Sequence, residues 1–171
     1  GLATVIPAGI SLGLQGAAHF HHDLGGFTTV AWVRRSKELF LRWAELAAFS
    51  LQMRSHEGNR PERNWQFDSD SETLEFLARM TRIFDGLKAY RVRALEEYQA
   101  SGLAPIRHPY LHYEDDPRLH KLKYQYLLGR DLLVAPVIAP RRRSRHVYLP
   151  ADSWIHLWSG KRCAPGWQRV P

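Results

Sequence analysis

His22-Asp23-Leu24-Gly25-Gly26-Phe27-Thr28-Thr29 and, further along, Met53-Arg54-Ser55-His56-Glu57-Gly58-Asn59-Arg60-Pro61 carry the plainest mark of an α/β layout in the chain. Each follows an apolar run, carries a carboxylate or an imidazole, and includes glycine, which lets backbone approach a ligand closely. One helix separates them. Ser36 can cap a segment in which Leu39, Phe40, Trp43, Leu46 and Ala47 recur at helical steps, predicting a helix over about 37–48 with one buried face. Alone, Asp23 before two glycines suits an ordinary turn, and His56 suits a hydrogen-bonded structural role. Together, two polar strand ends flanking one helix describe one wall of a shared pocket, because α/β layouts gather ligands at the carboxyl ends of their strands.

Outward from these stretches, residues 1–20 are apolar, and Gly9, Gly13 and Gly16 interrupt any long helix, so a short buried strand feeding a loop is expected there. Phe49–Met53 reads as the next strand. Ser69 with Glu72 forms a capping box for a second, longer helix whose buried stripe is Leu74, Leu77, Thr81, Phe84, Leu87, Arg91, Leu95 and Tyr98, ending at Gly102. Beyond it the pattern changes. Ile106–Tyr113, Leu132–Ile138, His146–Leu149 and Trp154–Trp158 are short β-rich segments between Pro, Gly, Asp and Arg turns. The spacing of Trp154, His156 and Trp158 predicts a strand with both tryptophans packed on one face. The expected organisation is α/β over 1–103 and all-β over 104–171.

The 171 residues, 44% hydrophobic, can bury a substantial core. The formal charge of +7 is spread along helices, and its one dense run, Arg141–Arg145, reads as a solvated turn; no groove-reading or base-stacking element accompanies it, so no nucleic-acid partner is expected. No run of 18 apolar residues is present, and no membrane association is expected. The single Cys163 excludes an internal disulfide framework and fits a reducing, cytoplasm-like compartment. His19, His21, His22 and Asp23 cluster without the further ligand spacing a metal centre needs, so neither metal nor cofactor is expected. The chain starts without Met and stops within a strand-and-turn pattern, Gly166–Pro171, which reads as a piece of a longer protein.

In order along the chain, the blocks resemble glycoside hydrolase family 31. His22 to Thr29 is similar to that family's His-Ser-Asp-Ile-Gly-Gly-Tyr pattern. Lys37 to Trp43, Met53 to Pro61, Phe76 to Thr81, Leu111 to Asp116 and Tyr124 to Val137 resemble its next blocks, and the Arg54 to Pro61 form points to its sulfoquinovosidase-like branch. The resemblance implies the C-terminal part of a (β/α)8 TIM barrel followed by an incomplete β-sandwich. It also implies a retaining α-glycosidase acting on an α-glucoside or a sulfoquinovoside, whose nucleophile and acid/base lie upstream of residue 1, so that this chain carries no catalytic residue. Glu57, Asp68 and Asp70 match neither catalytic motif. Asp23 and His56 would hydrogen-bond the sugar. Phe27 would line the site where sulfoquinovosidases have a sulfonate-reading tyrosine, and His22 stands in place of a serine. The alternative is a non-catalytic carbohydrate-binding or scaffold remnant of such an enzyme. No oligomeric state is indicated.

Overall fold

The N–H of Leu39 donates to Ser36 Oγ at 3.3 Å, and the helix so capped, α2 (Lys37–Ala48), buries Phe40, Trp43, Ala44, Leu46, Ala47 and Ala48. The computed structural model describes residues 1–171. It places α1 (Leu2–Leu14) before α2, and α3 (Ser71–Gly86) and α4 (Lys88–Ser101) after it. Seven short strands follow: β1 (Ile106–Arg107), β2 (Tyr126–Leu128), β3 (Leu132–Val134), β4 (Arg145–Leu149), β5 (Trp154–Ile155), β6 (Arg162–Cys163) and β7 (Gly166–Val170). They form three antiparallel sheets, β1-β2-β3, β4-β7 and β5-β6. No helix is long and apolar enough to cross a membrane. One core joins Leu2, Ile6 and Ile10 of α1 to Phe40 and Trp43 of α2, Met80 of α3, and Ile106, Tyr126, Leu128 and Val134 of the first sheet.

The strand expected within residues 1–20 is replaced by helix α1. Gly9 and Gly13, read above as breakers, lie one helical turn apart and form the face that meets β1. A Cβ on Gly13 would stand 2.2 Å from the carbonyl oxygen of Ile106, and one on Gly9 would stand 2.9 Å from the Phe20 ring. Burial of Leu2, Ile6 and Ile10 on this side offsets the helix-propensity cost of the glycines and of Pro7 within the helix.

The strand expected over Phe49–Met53 shrinks to a single parallel bridge between Asp23 and Arg54. The end of α2 consumes its first residues: Phe49 N–H donates to Leu46 O and Ser50 N–H to Ala47 O, both at 3.1 Å. The second long helix begins at Asp70 rather than Ser69. The Asp70 carboxylate accepts the Thr73 N–H at 2.7 Å, while Ser69 Oγ accepts the Gln66 N–H at 2.8 Å. Glu72 is drawn instead to Lys37 Nζ at 2.6 Å, which also holds Asp70 at 2.5 Å. The helix then breaks at Leu87 into α3 and α4. Leu74 and Thr81 of the expected stripe face solvent, and Thr73 and Met80 are buried in their place. Arg91 is buried as expected, its guanidinium 3.6 Å from the Phe84 ring centre, and Gly102 closes α4 in a left-handed conformation.

Among the β-segments, Ile106–Tyr113 keeps only two strand residues because Pro109 starts a 3-10 turn. β2 and β6 lie outside the segments read as strands, while β7 occupies the Gly166–Pro171 stretch read as strand and turn. Trp154 and Trp158 do not share a strand face: β5 ends at Ile155, Trp158 is 61% exposed, and its ring meets Phe49 edge-on. The Arg141–Arg145 run is a turn with Arg141, Arg142 and Arg143 exposed, as expected, and its backbone and the Arg145 side chain are anchored to the rest of the chain. Arg141 N–H donates to Glu38 Oε1, Arg42 donates to Arg142 O, and Arg145 Nη1 donates to Tyr124 O and Pro136 O.

The α1–β1 contact yields a direct expectation. Gly13→Ala forces a methyl into a backbone carbonyl and is expected to lower stability by about 2 kcal/mol or more. Gly86→Ala, whose added Cβ meets nothing within 4 Å at the end of α3, raises it by about 0.5 kcal/mol. Urea denaturation of the two variants measures both.

Candidate functional site

Asp23 and Arg54 face each other across the parallel bridge, where Leu24 N–H donates to Arg54 O at 3.0 Å. The chain after Asp23 turns sharply, with Gly26 N–H on Asp23 O at 2.9 Å and positive φ at Gly25 and Gly26. Asp23 Oδ1 accepts from Arg54 Nε at 3.1 Å and Nη2 at 2.9 Å, and lies 3.3 Å from His21 Nε2. Its other oxygen, Oδ2, makes no hydrogen bond within the chain.

Two residues beyond Arg54, His56 Nδ1 accepts the Gly58 N–H at 2.9 Å. A ring nitrogen that accepts a backbone N–H carries a lone pair, so the neutral imidazole holds its proton on Nε2 and presents it as a donor. The Phe27 ring meets His56 edge-on, centroids 5.0 Å apart, and remains 48% exposed. The three residues named from sequence, Asp23, Phe27 and His56, are thus on neighbouring loops of one surface. That surface offers an anionic acceptor, a neutral donor and an aromatic edge.

Arg35, which sequence reasoning passed over, joins the loops. It is 4% exposed, and its Nη2 donates to Gly26 O and to His56 O, both at 2.7 Å. Its Nη1 reaches Trp65 O at 3.4 Å and Gln66 Oε1 at 3.5 Å. Burial lowers its pKa, opposed by the nearby Asp23 charge. The stem of Arg35 occupies the place a Cβ on Gly25 would take, 2.4 Å from its Cδ. Asn64, also unremarked, accepts from Thr29 Oγ1 at 2.5 Å and donates to Glu57 O at 3.2 Å. Asn59 pairs with the Thr29 backbone in both directions, at 2.6 and 3.1 Å. The one local hint for Arg35 is its place directly before the Ser36 cap of α2. A buried arginine bound to carbonyls leaves no pattern in spacing.

No group of three or more His, Cys, Asp and Glu side chains is arranged to hold a metal ion. Asp70 is occupied in capping α3. A cleft of about 690 Å³ lies elsewhere, between α2 and the β-segments, and is lined by none of Asp23, Phe27 or His56. Phe27 and His56 are exposed and Asp23 is partly buried, so the candidate site is an open surface.

The model of the Glycosyl hydrolases family 31 TIM-barrel domain matches residues 1–85, and that of the Glycosyl hydrolase family 31 C-terminal domain matches residues 102–171. The chain belongs to glycosyl hydrolase family 31. It is 52% identical over 161 residues to the sulfoquinovosidase of Escherichia coli, covering 94% of this chain and 24% of that protein. To the sulfoquinovosidase of Agrobacterium fabrum it is 46% identical over 168 residues, 97% of this chain and 25% of that one. Among solved structures, a family 31 sulfoquinovosidase from E. rectale, in complex with the aza-sugar inhibitor IFGSQ, superposes with a TM-score of 0.97 at 44% identity, covering 99% of this chain and 26% of its own. The chain therefore spans about a quarter of the length of the family 31 relatives it matches.

His22, beside Asp23, has a role of its own. Trp43 Nε1–H donates to His22 Nδ1 at 2.8 Å, and a tryptophan can only donate, so this nitrogen must stay unprotonated. Burial, with the neighbouring His21 charge, lowers the His22 pKa from 6.5 to about 4. The unfolded chain takes up this proton near pH 6.5 and the folded chain only near pH 4. Stability is full above that window and falls through it by on the order of 3 kcal/mol. His22→Ser is expected to flatten this part of the pH dependence, read as the difference in urea midpoint between pH 7 and pH 4.5 for the variant against the wild type.

Proposed function

We propose that the chain is the C-terminal piece of a retaining α-glycosidase and supplies one wall of its sugar-binding site. Residues 1–103 would be the last strand-helix units of a (β/α)8 barrel and residues 104–171 part of a β-sandwich. The observation that carries the reading is the pairing of a free carboxylate oxygen, Asp23 Oδ2, with a free imidazole donor, His56 Nε2–H, on two loops clamped by one arginine. A sugar hydroxyl is both donor and acceptor. Asp23 accepts the hydrogen of one hydroxyl, His56 donates to the oxygen of another, and the Phe27 edge covers the adjoining apolar face of the ring.

These groups bind and orient; they do not cleave. Retaining hydrolysis needs two carboxyl groups about 5–5.5 Å apart across the bond, one attacking the anomeric carbon and one protonating the leaving oxygen. We place both upstream of residue 1, outside the quarter of the relatives' length that this chain spans, and the chain alone is then inactive. The similarity to sulfoquinovosidases favours a sulfoquinovoside substrate. Phe27 has no hydroxyl to offer a sulfonate, which favours a neutral α-glucoside, and the reading commits to an α-glycoside of one of these two kinds.

The test is to read the coding sequence upstream of Gly1 in frame, produce the extended protein and the 171-residue chain, and assay both on aryl α-glucoside and aryl α-sulfoquinovoside. The extended protein is expected to hydrolyse one of them with retention while the chain alone stays at the background rate. Turnover by the chain alone would contradict the placement of the carboxylates. An extended protein that binds sugar without turnover would establish the non-catalytic alternative.

A further inference from the structure

The two oxygens of Asp23 are unequally occupied. Oδ1 carries both Nε and Nη2 of Arg54 and lies against His21 Nε2, while Oδ2 has no partner in the chain. The Asp23 side chain is only 14% exposed and that of Arg54 is 51% exposed, so the guanidinium lies over the carboxylate from the solvent side. The backbone sets up this overlap. The Asp23–Arg54 bridge brings the two residues level on adjacent segments, and Leu24 N–H on Arg54 O holds them there. An ion pair half open to water adds little to stability. Its effect is directional: two donors converging on Oδ1 fix the carboxylate torsion, which is otherwise broad and roughly two-fold.

We propose that Arg54 is a positioning residue for sugar binding, holding Oδ1 of Asp23 so that Oδ2 is turned to the ligand. The proposal rests on the reading of Asp23 as a sugar-binding acceptor. The site thereby gains an oriented anionic acceptor whose charge is already balanced, so this wall favours hydroxyl groups over a bare cation or anion.

The experiment uses the 171-residue chain and two NMR readouts. The first needs no ligand: exchange of the Arg54 Nε–H with solvent is expected to be slowed in the wild type and fast in Asp23→Ala. The second is titration with methyl α-glucoside and with isofagomine, followed at the amides of Leu24 and Gly58. Arg54→Ala is expected to weaken binding about tenfold and Arg54→Lys, which keeps the charge but offers one point of contact, by about threefold. Thermal midpoints close to wild type separate this loss from unfolding. Wild-type affinity in Arg54→Ala overturns the proposal, as does an Arg54 Nε–H that exchanges as fast as in Asp23→Ala. If neither sugar shifts the wild-type amides while the Nε–H stays protected, the ion pair stands and the reading of Asp23 as a sugar ligand is what fails.

Discussion

A single buried cation sets the geometry on which the site depends. Arg35 has no carboxylate partner; one nitrogen of its guanidinium is shared between the carbonyls of Gly26 and His56, each at 2.7 Å. Burying a charge away from water is costly unless hydrogen bonds replace the lost hydration, and charge-assisted bonds to carbonyls are strong enough to do so. The arrangement also dictates sequence around it. Gly25 must lack a side chain because the Arg35 stem fills that space. Gly58, at φ 86°, must lack one because Asn64 Nδ2 would lie 2.5 Å from its Cβ. The two Gly-containing stretches that resemble family 31 motifs are, in physical terms, the two surfaces that fit around this side chain and its neighbour Asn64.

Once the loops are fastened, the polar groups of this wall divide their hydrogen bonds without competing. Asp23 spends one oxygen on Arg54 and keeps the other free, and His56 spends Nδ1 on Gly58 and keeps its Nε2 proton. Trp43, at the centre of α2, ties the same loop to the core from below through His22 while a Cβ on Gly26 would approach its ring at 3.3 Å. The helix between the two loops is therefore the platform on which both are built, and its capping by Ser36 sets where that platform begins.

Much of this was legible in the sequence where local chemistry and tertiary packing agree. The bounds of α2, the Gly102 cap of α4 and the burial of Arg91 follow from periodicity and capping. Asp23, Phe27 and His56 are drawn to one surface as their places around α2 suggest. The misreadings share a cause: packing overrode local propensity. Gly9 and Gly13 look like helix breakers until the Phe20 ring is seen against the first and the carbonyl of Ile106 against the second. Ser69 and Asp70 are both competent caps, and Lys37, far away in sequence, selects Asp70. Trp158 alternates with Trp154 as strand residues do, yet its ring rests on Phe49 of the α2 terminus. Arg35 was invisible because its value lies in two carbonyls, and every residue has a carbonyl.

The claim that the wall is assembled before any ligand arrives is tested most directly by the tautomer of His56 in the free chain, read from its ring-nitrogen NMR shifts at neutral pH together with ring-to-ring Overhauser contacts to Phe27. The account predicts an imidazole with its proton on Nε2 and clear contacts to Phe27 in the wild type, both lost in Arg35→Met. A wild-type His56 that mixes its two tautomers without Phe27 contacts, or an Arg35→Met chain that keeps both signatures, would contradict it.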